Sequence, residues 1–156
     1  MTDGGSSIPA VQALLRALAA GRDVAELGTA SGEGAAAMAE TARSVVTVEK
    51  DPERAAAARA RLAGLANVEA LEGDWRELLR GRAPFGLVFA DAGGYDWEAI
   101  VALLGPGGIL VKDDLTPGRP VDGDPVREFL LRDPRLAAAE ILTTAHAAAV
   151  VAVRKS

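Results

Sequence analysis

The chain has 156 residues, 49% of them hydrophobic, and a formal net charge of −5. A chain of this length can bury one hydrophobic core, so we expect a single domain over residues 1–156. The acidic balance argues against nucleic acid as the main partner, because an acidic surface repels phosphate groups. The absence of cysteine excludes disulfides, thiolate metal sites and a cysteine nucleophile.

The first residues have neither the basic group nor the apolar run of a signal peptide. No later stretch is long and apolar enough to span a bilayer, because polar residues interrupt the alanine- and valine-rich end. We therefore expect a cytoplasmic protein that works without a membrane partner. The sequence leaves the oligomeric state open, a homodimer included.

Helical and strand patterns alternate in the first half of the chain. Apolar residues at helical spacing predict a short N-terminal helix that stops at Gly21. Asp51 and Pro52 have the composition of a helix start, with a capping side chain followed by proline in the first turn. The predicted helices cover residues 8–20, 32–43, 51–65 and 74–79, and the predicted strands cover 24–27, 44–49 and 67–71.

The second half continues the alternation and then ends on two successive strands. The predicted strands cover residues 86–91, 109–112, 136–142 and 147–154, the predicted helices 97–104 and 126–132, with a turn at 106–108 and a long loop at 115–125. The short connection at 143–146 is typical of an antiparallel hairpin. The pattern predicts an α/β fold: a doubly wound, Rossmann-like, seven-stranded, mostly parallel sheet with helices on both faces and a terminal antiparallel hairpin.

The segment after the first strand is typical of a nucleoside site. That strand carries Glu26, and a turn from Gly28 to Gly32 leads into the next helix, while the second strand ends on Glu49. Backbone amides of such a turn face one end of a nucleoside ligand, and a carboxylate at the second strand end accepts hydrogen bonds from the ribose diol.

The details of this loop favour one cofactor over another. A dinucleotide fingerprint needs glycine at its second and third positions, where this chain has Ala30 and Glu33. The carboxylate of Glu26 would repel a pyrophosphate and attract an ammonium group. The loop therefore favours S-adenosylmethionine (SAM), and an NAD-dependent oxidoreductase is the weaker alternative.

Five segments of the chain follow one another in a recognisable order. They are ELGTASG at 26–32, VEKD at 48–51, GDW at 73–75, FGLVFAD at 85–91 and LLGPGGILVKDD at 103–114. Together they resemble the class I SAM-dependent methyltransferases, most of all the small-molecule O-methyltransferase branch that includes the catechol and caffeoyl-CoA enzymes.

The resemblance implies a role for each matched position. The methionine part of the cofactor would be held by the carboxylate of Glu26 and by the loop of Gly28, Thr29, Ala30, Ser31 and Gly32. Glu49, followed by Lys50, would bind the ribose. The adenine end would lie at Gly73, Asp74 and Trp75, and Asp91 would border the cofactor as the catalytic candidate. Asp74 has a structural alternative, because it can also cap the helix that begins there.

The resemblance also implies a divalent cation. In the metal-dependent enzymes of this branch the cation is bound at the positions of Asp91, Asp113 and Asp114, and oxygen ligands suit Mg²⁺. This chain departs from the branch because Gly93 and Gly94 stand where it has a second aspartate and a lysine. A metal-free enzyme is therefore an alternative, with the aspartates solvating a loop.

The sequence thus predicts methyl transfer from SAM to a small-molecule acceptor, with oxygen as the favoured acceptor atom. A SAM-binding module without catalysis is the alternative. Three aromatic residues are candidates for an acceptor pocket or for core packing: Trp75, Tyr95 and Trp97.

Overall fold

The computed structural model describes residues 7–92 and 95–156 of the chain. The strands are β1 (Asp23–Leu27), β2 (Ser44–Glu49), β3 (Val68–Glu72), β4 (Phe85–Ala90), β5 (Leu104–Leu115), β6 (Leu136–Thr144) and β7 (Ala147–Arg154). The helices are α1 (Pro9–Ala19), α2 (Glu33–Ala39), α3 (Pro52–Leu62), α4 (Trp75–Leu78), α5 (Trp97–Leu103) and α6 (Pro125–Arg132). Within these ranges no helix has the length and apolarity needed to cross a membrane. The predictions for residues 1–6 and for Gly93 and Gly94 lie outside the described residues.

The seven strands form one sheet in the order β3-β2-β1-β4-β5-β7-β6. The first five of these run parallel, β7 is antiparallel to β5, and β6 is antiparallel to β7. The predicted doubly wound sheet and its terminal hairpin are therefore confirmed. The strand order reverses between β1 and β4, which leaves a crevice at their carboxyl ends where sheets of this kind bind ligands.

Helices cover both faces of the sheet. On one face Leu15 of α1 and Met38 of α2 pack with Phe89 of β4, and all three are fully buried. On the other face Ile100 of α5 and Leu130 of α6 are buried in the same cluster as Val88. Because β4 is covered on both sides, its sequence is a continuous apolar run rather than an alternating one.

The structure differs from the sequence prediction at the start of β5. This strand begins at Leu104, so the predicted turn at residues 106–108 belongs to the strand. The reason lies in the glycines: a Cβ on Gly108 would lie 2.9 Å from the carbonyl oxygen of Phe85, so a bare backbone fits closely against the start of β4. The pairing of β4 with β5 shifts register at this point.

One buried guanidinium connects α6, β6 and the loop after β5. The side chain of Arg127 on α6 is 1% exposed and forms ion pairs with Asp124 at 2.6 Å and with Glu140 of β6 at 2.7 Å. It also donates to the carbonyl oxygen of Thr116 at 2.6 Å. Arg127 therefore fixes the loop after β5 to α6 and to the edge strand β6.

Replacing Arg127 with methionine should lower the free energy of unfolding by about 3 kcal/mol, because two carboxylates then lose their shared partner in a largely buried site. The matched control is Arg132→Met on the same helix, whose exposed pair with Asp122 should contribute less than about 1 kcal/mol. Urea denaturation of both variants measures the difference. Equal decreases in the free energy of unfolding would mean that the buried ion pairs of Arg127 contribute no more than the exposed pair of Arg132.

Candidate functional site

A cavity of about 500 Å³, here called the main cavity, opens at the carboxyl ends of the parallel strands. Its position is the crevice created by the strand-order reversal between β1 and β4. The structure brings nine of the sequence-predicted site residues together on its wall: Gly28, Ala30, Glu49, Lys50, Gly73, Asp74, Trp75, Asp91 and Asp114. A cavity of this size and position is typical of a site for a small organic ligand.

The floor of the main cavity is made by two loops in close contact. Gly28 has a φ of +93°, and a Cβ on it would lie 2.9 Å from the Cβ of Ala92. The backbone N–H groups of Asp91 and Ala92 both donate to the carbonyl oxygen of Leu27. The loop after β4 therefore lies directly against the loop after β1, and a side chain at Gly28 would separate them.

Glu49 at the end of β2 is held in place by backbone donors. One carboxylate oxygen accepts from the N–H of Ala30 and the other from the N–H of Asp51, each at 3.0 Å. The residue is 8% exposed and still lies on the cavity wall. Since each carboxylate oxygen has a second acceptor position, Glu49 can also accept from a ligand hydroxyl.

Asp74, Trp75 and Arg76 form another part of the wall of the main cavity. Asp74 caps α4 by accepting from the N–H of Arg76 at 2.8 Å, so the structural role considered for it is present alongside its place on the wall. The guanidinium of Arg76 lies 4.6 Å from the ring centroid of Trp75. This part of the wall offers an aromatic face together with polar groups.

Sequence reasoning missed four residues of the cavity wall. They are Val48, Arg54, Arg76 and Ala92. Val48 lies inside the matched segment 48–51, and the other three lie within three residues of a matched segment, so position along the chain was the available signal. The two arginines are exposed, and an exposed arginine carries no recognisable pattern of its own.

Other predicted cofactor residues lie away from the described wall of the main cavity: Glu26, Thr29, Ser31 and Gly32. Glu26 is 1% exposed and accepts from the hydroxyl of Thr47 at 2.7 Å. The hydroxyl of Thr29 is buried and lies 2.6 Å from the same Thr47 hydroxyl. Burial raises the pKa of Glu26 well above its usual range, and the charges of Asp91, Asp113 and Glu49 add to this. The roles predicted for these four residues stay predictions.

Asp91 lies between the main cavity and a small cavity of about 40 Å³. Burial, followed by the charge of the neighbouring Asp113, raises the pKa of Asp91 to about 7. Burial also raises the pKa of Asp113. A carboxyl with a pKa near 7 can hold or accept a proton at neutral pH, which suits a general base.

The structure does not support the predicted metal site. Across residues 7–92 and 95–156, no group of three or more histidine, aspartate or glutamate side chains is placed to hold a metal ion. The charge of Asp113 acts on Asp91, and Asp113 Oδ1 is buried without a hydrogen-bond partner among the described residues. Asp91, Asp113 and Asp114 all line the small cavity, and Asp114 adopts a left-handed conformation with a φ of +65°. The three aspartates therefore line one small cavity, but the described residues do not form a metal-binding group.

The aromatic side chains after β4 pack on the core. The ring centroid of Trp97 lies 4.7 Å from that of Tyr95 and 6.0 Å from that of Phe129. All three rings lie against the same buried cluster, and the Tyr95 hydroxyl donates to the carbonyl oxygen of Ala90. Core packing is thus the role that the structure shows for Tyr95 and Trp97.

Comparison with known families agrees with this geometry. A sequence profile described as protein-L-isoaspartate(D-aspartate) O-methyltransferase (PCMT) matches residues 6–113. The chain belongs to the PCMT family. The match agrees with the methyltransferase resemblance rather than with the NAD-dependent alternative.

Two relatives carry the name protein-L-isoaspartate O-methyltransferase. The protein from Azorhizobium caulinodans is 34% identical over 142 residues, which cover 87% of this chain and 64% of the relative. The protein from Rhodopseudomonas palustris strain BisB5 is 38% identical over 118 residues, which cover 74% of this chain and 51% of the relative. This PCMT-family chain therefore spans between half and two thirds of the length of these relatives.

A solved structure confirms the predicted superfamily. The O-methyltransferase TomG from Streptomyces achromogenes, in complex with SAM, matches with a TM-score of 0.80 and 27% identity over the whole of this chain and 84% of TomG. The PCMT-family chain thus has the class I SAM-dependent methyltransferase fold. Its sequence matches the PCMT profile, while its structural match includes an O-methyltransferase.

Asp91→Asn should raise the free energy of unfolding by about 1–2 kcal/mol at pH 8 and leave it nearly unchanged at pH 4, after allowance for partial solvent exposure. The folded-state pKa of about 7 lies above the ordinary value of 3.8. Stability from the protonated carboxyl is therefore complete below pH 4 and is lost as the pH rises through 7, whereas asparagine never ionises.

Urea denaturation at the two pH values tests this expectation. Asp122→Asn is the matched control, because the Asp122 side chain is 85% exposed and should respond weakly at either pH. The same stabilisation of Asp91→Asn at both pH values would contradict the raised pKa.

Proposed function

We propose that the chain is a methyltransferase that binds SAM in the main cavity and transfers its methyl group to an oxygen atom of a small-molecule acceptor. The observation that carries the proposal is the carboxylate of Glu49, held by two backbone N–H groups on the cavity wall at the end of β2. In a sheet of this topology, that position is where a ribose diol is bound. The family match and the SAM complex of TomG support the same cofactor.

The remaining wall residues fit the other parts of SAM. We propose that the ring of Trp75 and the carboxylate of Asp74 bind the adenine base, and that the loop at Gly28 binds the start of the methionine part. All three residues line the main cavity. When bound, SAM supplies an electrophilic methyl group on its sulfonium. The contribution of the protein is to hold the acceptor oxygen in line with that methyl group, since positioning supplies most of the catalysis in such a transfer.

We propose that Asp91 accepts the proton that the acceptor hydroxyl loses. A hydroxyl acceptor loses its proton as its oxygen forms the bond to the methyl carbon and the carbon–sulfur bond breaks. Asp91 borders both cavities, and its pKa of about 7 allows it to take that proton at neutral pH. The proposal includes no divalent cation, because the described residues offer no group for one.

A carboxylate acceptor is the second candidate, and the family match favours it. The matched profile and both relatives are named for methylation of isoaspartyl residues. Against it, Asp91 and Asp114 line the main cavity and Asp113 lies close by, so an acceptor carboxylate would meet charges of its own sign. A hydroxyl acceptor is neutral and avoids this repulsion, which is why we favour it.

Transfer of radiolabelled methyl from SAM separates the candidates. We expect label in small phenolic or catechol acceptors, with the same rate in EDTA and in Mg²⁺. Label only in an isoaspartyl peptide would favour the carboxylate acceptor, and a rate that depends on Mg²⁺ would restore the metal prediction. Binding of SAM without label in any acceptor would indicate a module without catalysis.

Glu49→Gln should weaken the binding of S-adenosylhomocysteine by about tenfold or more, because the ribose diol then loses a charged acceptor. Isothermal titration calorimetry measures the change. Glu53→Gln is the matched control, because Glu53 lies on the exposed first turn of α3, away from the described cavity wall. Unchanged affinity in Glu49→Gln would place the ribose elsewhere.

A further inference from the structure

Glu26 is a buried acid, and only one of its two carboxylate oxygens has a hydrogen-bond partner among the described residues. Its Oε1 accepts from Thr47, whereas its Oε2 is buried without a hydrogen-bond partner among the residues that the structure describes. The free oxygen lies beside Gly34 at the start of α2, where a Cβ would come within 2.5 Å of it. Glycine at position 34 therefore leaves room for this oxygen. A buried carboxylate oxygen without a hydrogen-bond donor costs folding free energy, and a bound donor would remove that cost.

Two threonine hydroxyls connect Glu26 to the glycine-rich loop. Thr47 is completely buried, and its hydroxyl lies 2.7 Å from Glu26 Oε1 and 2.6 Å from the hydroxyl of Thr29. A hydroxyl has one proton to donate. When Glu26 is ionised, as pairing with a cation requires, Thr47 gives its proton to Glu26 and Thr29 must donate to Thr47.

The surroundings make Thr47 the group that favours the charged form of Glu26. Burial raises the pKa of Glu26, and the charges of Asp91, Asp113 and Glu49 raise it further, while the hydrogen bond from Thr47 lowers it. Asp91 and Glu49 line the main cavity, so Glu26 lies close behind its wall. A cationic donor that reached Oε2 would both pair this oxygen and offset the surrounding negative charge.

We propose that Thr47 is a positioning residue for the amino-acid half of the cofactor. It touches no ligand itself, but it holds Glu26 Oε1, which leaves Oε2 as the acceptor for the α-ammonium group. Thr29, through its bond to Thr47, supports the same arrangement rather than binding the cofactor with its side chain. This inference rests on the proposed function, and it makes Thr47 a determinant of selectivity between nucleosides with and without an amino-acid tail.

The test compares two ligands that differ in that tail. S-adenosylhomocysteine carries the α-ammonium group, and 5′-methylthioadenosine has the same nucleoside and sulfur without it. In titration calorimetry, Thr47→Val should weaken the binding of S-adenosylhomocysteine by about tenfold or more and leave that of 5′-methylthioadenosine unchanged. The variant loses the hydrogen bond that holds Glu26, and only the tail of S-adenosylhomocysteine interacts with Glu26. Thr47→Ser keeps the hydroxyl and should restore the wild-type ratio of affinities.

Each outcome decides the inference. Equal weakening of both ligands would mean that Thr47 supports the fold rather than the tail, and no weakening of either would mean that Glu26 needs no positioning. Thr29→Val is the second variant should Thr47→Val fail to fold, and it should shift the ratio in the same direction. If the wild-type protein bound neither ligand, the proposed function itself would be overturned. That result would come from the wild-type protein alone, before any variant is measured.

Discussion

The two backbone hydrogen bonds accepted by Glu49 connect the elements that make the site. One comes from Ala30 in the loop after β1, and the other comes from Asp51 at the start of α3. Together with the close approach of Gly28 to Ala92, they join the loops after β1, β2 and β4 into one wall. The carboxylate is thus fixed before a ligand arrives, and little side-chain entropy remains to be lost on binding.

The site concentrates negative charge in a way that stability alone would not favour. Glu26 and Asp113 are buried and Asp91 is half-buried, and the charge of Lys112 only partly offsets the rise in the pKa values of Asp91 and Asp113. The buried charge of Arg127 differs, because it forms ion pairs with both Asp124 and Glu140. Acidic groups with raised pKa values beside a cavity are characteristic of a functional site.

The sequence predicted the strands around the site closely, because their patterns depend on local composition. The predicted bounds of β2 and β7 match the structure, and nine predicted site residues lie on one wall. Contacts between distant segments were harder to predict. Which face of β1 Glu26 lies on depends on how β1 is covered by α2, and the position of Asp91 relative to Asp113 depends on the register of β4 and β5. The metal prediction was not supported for a related reason: a sequence match gives residue types, whereas a metal site also depends on the distances between side chains.

The contacts of Arg127 determine where the length of this chain can vary without disturbing the fold. The guanidinium holds Thr116 at one end of a surface loop and Asp124 at the other. Since both ends are anchored, the segment between them can lengthen at a small entropic cost, about 0.6 kcal/mol for each doubling of its length. Insertions there would leave the sheet and the wall around Glu49 untouched. The loop is therefore a natural place to graft new sequence in an engineered descendant of this protein.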